Sequence, residues 1–84
     1  MEDLETLRKR LLYQSHHRGM RELDFILGRF ANRHVPSMTQ EELEQLEALL
    51  VIPDQELYGW FFEKIEAPTG PLRSLALAIQ KEFS

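Results

Sequence analysis

Apolar residues recur at intervals of three and four along most of the chain, the spacing that places them on one face of an α-helix. In the first such segment, about residues 2–16, this face is formed by Leu4, Leu7, Leu11, Leu12 and Ser15. In the second, about residues 21–33, it is formed by Leu23, Ile26, Leu27 and Phe30. Gly19 separates the two segments, because glycine readily takes the positive φ often found just past a helix end. Pro36 ends the second segment, because it cannot continue the hydrogen-bond ladder.

Three further segments have the same helical spacing. The third begins with a capping box, in which the Thr39 side chain accepts from the backbone near Glu42 and Glu42 reaches back, and it ends before Pro53. The fourth is expected to begin with Asp54 at or near its N-cap, and Pro71 suits the first position of the fifth. Their inner faces are formed by Leu43, Leu46, Leu49 and Leu50 in the third, Leu57, Trp60 and Phe61 in the fourth, and Leu72, Leu75, Ile79 and Phe83 in the fifth.

No stretch alternates apolar and polar residues for long enough to predict a β-strand. These patterns predict an all-α fold, a compact five-helix bundle in which residues 1–84 form a single domain. A chain of 84 residues buries only about 60–65% of the surface that its unfolded form exposes. We therefore expect a small core with little room for an internal active-site cavity.

The formal net charge of −4 is unevenly distributed along the chain. Residues 1–33 contain seven Lys/Arg and five Asp/Glu, whereas residues 34–84 contain three Lys/Arg and nine Asp/Glu. A net acidic protein is a poor candidate for binding the phosphate backbone, so we expect no nucleic-acid partner. A basic region on an acidic body fits docking to another protein.

The chain has no cysteine, which excludes a disulfide scaffold, a thiolate metal site and a cysteine nucleophile. No apolar run approaches the roughly 20 residues that a membrane span needs, so we expect no direct membrane insertion. The N-terminal sequence MEDLETLRKR lacks the apolar centre of a signal peptide and the acid-poor character of a transit peptide. These features favour a bacterial cytoplasmic protein over a matured organellar one.

The densest cluster of polar and charged side chains is the stretch HHRGMRELD, between the first two predicted helices. Arg18 and Arg21 offer bidentate donors, and Glu22 offers an acceptor. Gly19 lets a partner approach the backbone closely, and Met20 is predicted to be an exposed apolar contact. Together these residues predict a protein-binding corner.

The charged residues of this stretch are also compatible with roles confined to their own helices. Glu22 in the first turn of a helix interacts favourably with the helix dipole, by about 0.3–1 kcal/mol, and the arginines can pair with Glu22 and Asp24. His16 and His17 are adjacent on a helix, so their side chains do not converge on one ion, and we predict no metal site. Nothing in the chain resembles a nucleophile–base pair or a glycine-rich phosphate loop, so we predict no enzyme.

The fourth segment is rich in large apolar residues, LYGWFF. We expect Trp60 in the core. A single helix cannot point all of these side chains inward, so some of Tyr58, Trp60 and Phe62 are expected near the surface, where they indicate a binding patch.

The segment RKRLLYQSHHRGMRELDFILGRF resembles the N-terminal half of the small FAD assembly factors of succinate dehydrogenase, the bacterial SdhE proteins and their mitochondrial relatives. The RGxxE motif of that family is matched here by Arg18, Gly19 and Glu22. A second family pattern, DxELxxW, is matched within PDQELYGW by Asp54, Glu56, Leu57 and Trp60. The resemblance covers about residues 8–65.

This resemblance implies a factor that binds the flavoprotein subunit of succinate dehydrogenase, and in some bacteria that of fumarate reductase. It implies that the factor promotes covalent attachment of FAD to a histidine of that subunit, and that no cofactor is bound tightly by this chain. It also implies no catalytic residue on this chain. We therefore predict partner contacts at Arg18, Gly19, Met20, Arg21 and Glu22, with Asp54 and Trp60 on a supporting or adjacent surface.

Two other functions are compatible with parts of the pattern. A helix-turn-helix DNA-binding module would place Arg21, Arg29 and Arg33 on its second helix, but the net charge and the lack of a polar base-reading face argue against it. A small helical enzyme of the chorismate-mutase type has an arginine-bearing first helix similar to LETLRKRLL. That fold needs a long unbroken first helix, whereas Gly19 interrupts this one.

Overall fold

The computed structural model describes residues 2–83, and all of the regular elements in that range are helical. They are α1 (Leu4–His16), α2 (Arg21–His34), a short 3-10 turn (Val35–Ser37), α3 (Gln40–Leu50), α4 (Asp54–Phe62) and α5 (Pro71–Phe83). The predicted all-α fold with five helices is confirmed. That residues 1–84 form one domain stays a prediction, since Met1 and Ser84 lie outside the described residues. Within residues 2–83, no helix is both long enough and apolar enough to cross a bilayer.

Two helices begin with side-chain caps that satisfy their first backbone donors. At α3, the Glu42 N–H donates to Thr39 Oγ1 at 3.2 Å, and the Thr39 N–H donates to Glu42 Oε1 at 2.9 Å, so the predicted capping box is confirmed. At α1, Asp3 accepts from the Thr6 N–H at 2.8 Å. This bond lowers the pKa of the Asp3 carboxyl, because it stabilises the ionised form.

The start of α4 agrees with the expectation that Asp54 lies at or near the N-cap. Pro53 occupies the N-cap position and provides no side-chain cap, while Asp54 is the first helical residue. The Asp54 carboxylate is engaged by Arg18 instead, because a guanidinium is a stronger donor than a backbone N–H.

One hydrophobic core is shared by all five helices. α1 packs against α2 and α3, α5 packs against the same two helices, and α4 contacts α2 and α5. The fully buried large apolar side chains include one from the 3-10 turn, Val35. The others come from the predicted inner faces and are Leu11, Leu23, Ile26, Leu27, Leu43, Leu46, Leu49, Leu57 and Ile79. Leu4 and Phe83 are exposed despite their place in the predicted stripes, because they are the end residues of α1 and α5.

Half of the lysine and arginine side chains on α1 and α2 bind within the chain. Arg8 donates to the carbonyls of Val35 and Met38, at 3.3 and 2.9 Å. Arg10 pairs with Glu47 of α3 at 2.6 Å. The predicted basic region is therefore only partly available to a partner. The exposed cations of these two helices that form no hydrogen bond or ion pair within residues 2–83 are Lys9, Arg21 and Arg29.

The end of α5 is fixed to α2 through Glu82. His34 Nε2 lies 2.8 Å from Glu82 Oε2, and Arg33 Nη1 lies 2.7 Å from Glu82 Oε1. The hydrogen bond from His34 is the main cause of a lowered pKa of the Glu82 carboxyl. These contacts hold the C-terminal helix against the bundle.

Ser15 is fully buried on the inner face of α1, and its hydroxyl has no hydrogen-bond partner among the described residues. A buried donor left unpaired destabilises the fold by about 1–3 kcal/mol. We expect Ser15→Ala to raise the free energy of unfolding by about 1 kcal/mol, because it removes the unpaired hydroxyl and improves helix propensity. Urea unfolding followed by circular dichroism measures this change.

The control for this prediction is Ser74→Ala in α5, where the serine is exposed. That substitution gains helix propensity alone, about 0.3–0.5 kcal/mol. Equal stabilisation by the two variants would show that the Ser15 hydroxyl carries no burial penalty.

A strained residue follows the C-terminus of α4. Lys64 has a φ of 60°, and it follows Glu63 at the position where glycine commonly ends a helix. The left-handed conformation destabilises an L-residue by about 1–2 kcal/mol, and glycine loses more chain entropy on folding, about 0.5–1 kcal/mol. We therefore expect Lys64→Gly to raise the free energy of unfolding by about 0.5–1 kcal/mol.

Thermal unfolding of Lys64→Gly beside Lys9→Gly tests this expectation. Lys9 is an exposed residue inside α1, so glycine there should lower stability by about 1 kcal/mol. A fall in stability for both variants would mean that Lys64 is not strained.

Candidate functional site

The turn between α1 and α2 has a fixed geometry. Gly19 has a φ of +96°, so the positive φ predicted for it is confirmed. Asp24, in the first turn of α2, accepts a hydrogen bond from the Arg18 backbone N–H at 2.6 Å. This bond fastens the turn to the start of the helix that follows it.

The Arg18 side chain points into the protein beneath this turn and is only 13% exposed. Its Nε and Nη2 atoms lie 2.8 and 2.7 Å from Oδ1 of Asp54. Nη1 donates to the carbonyl of Leu50, and Nη2 donates to that of Ile52 at 2.7 Å. These acceptors lie in and on either side of the connection between α3 and α4, since Leu50 ends α3 and Asp54 begins α4. Arg18 therefore ties the α1–α2 turn to that connection, and it joins the two sequence motifs that carry the resemblance.

Three of the predicted site residues face outward, and we call Gly19, Arg21 and Glu22 the motif corner. All three are exposed. Within residues 2–83, Arg21 and Glu22 form no hydrogen bond or ion pair with the rest of the protein. A Cβ atom built on Gly19 would meet no atom within 4 Å, so the backbone there is open to a partner. The motif corner thus offers a cation, a carboxylate and bare backbone for charge-assisted hydrogen bonds.

The other four predicted site residues lie in or beneath the surface. Arg18 and Asp54 bind each other. Met20 is half-buried and packs against the core, so it is less exposed than expected, and Trp60 is buried. Tyr58 and Phe62 are half-buried on the same helix, as the pattern of large residues predicted. Partner contact by the predicted site residues stays a prediction.

Two exposed apolar residues beside Arg18 were not predicted as site residues. Tyr13 stacks on His17, with ring centroids 4.2 Å apart, and Val51 lies at the end of α3. Both border a shallow groove that also includes Arg18 and Asp54. The sequence carried one sign that Tyr13 is exposed, because this residue lies off the apolar stripe of α1. The exposure of Val51 had no such sign, because it depends on how α3 ends.

His16 has a packing role. A Cβ atom on Gly28 would lie 2.5 Å from His16 Nδ1, so the ring fills the space left by the glycine where α1 crosses α2. Its Nε2 atom lies 2.9 Å from Oδ1 of Asn32. No group of three or more His, Asp or Glu side chains among residues 2–83 is arranged to hold a metal ion.

Comparison with known proteins places these residues in a recognised family. The family model described as flavinator of succinate dehydrogenase matches residues 9–83, a range that includes the motif corner, Arg18, Asp54 and Trp60. Two similar proteins are each named succinate dehydrogenase assembly factor 2, mitochondrial. The one from Dictyostelium discoideum is 42% identical over 66 residues, which is 79% of this chain and 47% of that protein. The one from Yarrowia lipolytica is 48% identical over 59 residues, 70% of this chain and 41% of that protein.

A bacterial protein is also similar. The FAD assembly factor SdhE of Acetobacter pasteurianus is 37% identical over 67 residues, which is 80% of this chain and 62% of that protein. The chain spans about half the length of the relatives that it matches. The family match confirms the resemblance read from the two motifs, and it favours that interpretation over a DNA-binding module or a mutase.

Proposed function

This chain belongs to the flavinator of succinate dehydrogenase family, and on that premise we propose that it is an assembly factor for the flavoprotein subunit of succinate dehydrogenase. It binds that subunit and promotes covalent attachment of FAD to one of the subunit's histidines. The family match over residues 9–83 carries this proposal. In bacteria that have fumarate reductase, the flavoprotein of that enzyme is a second partner. FAD is the group attached to the partner, and this chain holds no flavin tightly.

A small helical protein can promote this reaction without a catalytic group of its own. The bond forms when the flavin ring and the imidazole are aligned, and both belong to the flavoprotein. A factor that binds the aligned conformer more tightly raises its population. If about 1% of the flavoprotein is aligned, a binding preference of about 100-fold, or about 2.7 kcal/mol, makes the two conformers equally populated.

The charged side chains of the motif corner are sufficient to supply a binding preference of this size. A hydrogen bond to a charged group contributes about 1.5–3 kcal/mol, so one or two such bonds made by Arg21 and Glu22 only to the aligned conformer are sufficient. Gly19 allows the partner's backbone to come close. Arg18 and Asp54 act from beneath by holding the turn in one conformation.

We place this activity in the bacterial cytoplasm. The similarity to the Acetobacter pasteurianus protein supports a bacterial setting. The names of the Dictyostelium and Yarrowia relatives support the mitochondrion as the alternative.

Reconstitution with purified components tests the proposal. The flavoprotein subunit, produced in cells that lack the factor, is incubated with FAD in the presence or absence of this protein. Covalent flavin is then measured as fluorescence of the denatured subunit on a gel. We expect the factor to speed covalent attachment at least tenfold. An unchanged rate, together with no complex between the two proteins in gel filtration, would refute the proposal.

A further inference from the structure

One row of exposed residues on α2 continues away from the motif corner. Arg21, Phe25 and Arg29 are spaced four residues apart, so they lie along one ridge of the helix; we call them the α2 ridge. Neither arginine has a polar partner among residues 2–83. The next residue in the row, Arg33, pairs with Glu82 at 2.7 Å. The ridge therefore presents two unneutralised cations on a chain whose net charge is −4.

Phe25 lies between the two cations and is 54% exposed. Its ring meets Phe83 edge to face, with centroids 5.6 Å apart. Phe83 meets Phe62 in the same way at 5.8 Å, and Phe62 lies 4.9 Å from Tyr58. This chain of aromatic contacts holds Phe25 in place while half of its surface faces outward. An aromatic side chain fixed in this way loses little freedom when a partner covers it.

We propose that the α2 ridge docks onto an acidic patch of the flavoprotein partner. An apolar side chain of that patch packs on Phe25, and carboxylates on either side pair with Arg21 and Arg29. Arg29 lies eight positions after Arg21, a rise of about 12 Å along the helix, so the two carboxylates lie about 12 Å apart. This inference rests on the proposed function, because Arg21 belongs to both surfaces and a partner seated on the motif corner extends along the ridge.

A second copy of this chain is a poorer occupant. α3 is its most acidic helix, with four glutamates. The large apolar residue that the described chain exposes beside α3 is Val51, its C-cap, which follows all four glutamates. The part of the helix that carries the glutamates therefore has no exposed large apolar side chain between its carboxylates to cover Phe25.

Binding kinetics of the purified factor and flavoprotein test the ridge with three variants. Arg29→Glu should lower the association rate about three- to tenfold at low salt, because exposed charges guide the two proteins toward each other. Added salt screens these charges, so it should reduce the difference in association rate between the variant and the wild type. Phe25→Ala should raise the dissociation rate about tenfold. The matched control is Lys9→Glu, which makes the same charge change at an exposed cation on α1 that forms no hydrogen bond or ion pair within residues 2–83 and should alter both rates by less than about twofold.

The outcomes separate this inference from the function on which it rests. If the wild-type protein binds and promotes flavin attachment but all three variants bind alike, the ridge proposal is overturned and the function stands. If the wild-type protein does not bind the flavoprotein, both proposals are refuted. If sedimentation shows a wild-type dimer that Arg29→Glu dissociates, the occupant is a second copy and the acidic partner is overturned. Arg29 is exposed and forms no hydrogen bond or ion pair within residues 2–83, so its variant tests the proposal even if Phe25→Ala is unstable.

Discussion

Replacing Arg18 with methionine is expected to lower the free energy of unfolding by about 2–3 kcal/mol. The change leaves the Asp54 carboxylate and the carbonyls of Leu50 and Ile52 without their donor. Methionine keeps most of the aliphatic volume, so the loss reports mainly on these bonds. Asp54 remains 34% exposed, and water can partly replace the guanidinium. This keeps the loss below the about 3–5 kcal/mol typical of breaking a fully buried pair.

Denaturant unfolding of Arg18→Met and Arg21→Met side by side provides the matched comparison. Both variants lose one arginine, but Arg21 is exposed and has no partner within residues 2–83, so its replacement should change stability by less than about 0.5 kcal/mol. Combining Arg18→Met with Asp54→Asn should give a coupling energy of about 1 kcal/mol or more. Equal losses for the two arginine variants would mean that Arg18 does not brace the turn.

Glu22→Ala is expected to slow covalent flavin attachment at least tenfold while lowering the free energy of unfolding by only about 0.3–1 kcal/mol. The activity falls because an acceptor for the partner is lost, and the stability falls slightly because a carboxylate near a helix N-terminus is lost. Gel fluorescence of the flavoprotein measures the first effect, and urea unfolding measures the second.

Glu41→Ala is the matched control for Glu22→Ala. Glu41 is the second residue of α3, as Glu22 is the second residue of α2, and both are exposed. The two variants should therefore lose similar stability, and only Glu22→Ala should lose activity. A similar activity for both would show that Glu22 has only a local role in its helix.

Two variants of Gly19 distinguish the effect of backbone strain from the effect of a side chain that blocks the partner. Alanine and arginine both meet the positive φ at this position, so each should lower stability by about 1–2 kcal/mol. A Cβ atom at Gly19 meets no atom within 4 Å, so alanine does not clash within the free protein and the flexible arginine side chain begins in open space. Gly19→Arg should nevertheless slow flavin attachment far more than Gly19→Ala, since only arginine fills the space that the partner approaches. Equal activities would argue against docking at this position.

The sequence predicted the helices well because the signals for them are local. The apolar spacing located the core, the Thr39–Glu42 capping box marked the start of α3, and Gly19 marked the turn. The resemblance likewise rests on short motifs, and the family match confirms it. Local sequence pattern was sufficient to predict those features whose contacting atoms belong to residues close together in the chain.

The roles of individual site residues were harder to predict because they depend on distant partners. Arg18 reaches acceptors 32 to 36 residues away, and a charged residue in an exposed motif gives no sign that it turns inward. The packing of His16 on Gly28 depends on how α1 crosses α2. The unpaired hydroxyl of Ser15 follows from the same packing, since its place in the apolar stripe predicted burial but not the lack of a partner.

The bonds made by Arg18 also affect how the folded protein opens. They join the α1–α2 turn to the first residue of α4 and to the carbonyls before it. Local opening of either region must break the same bonds, so the two should fluctuate as one cooperative unit. Amide hydrogens of the turn and of the first turn of α4 would then exchange with solvent at correlated rates, although they are far apart in sequence.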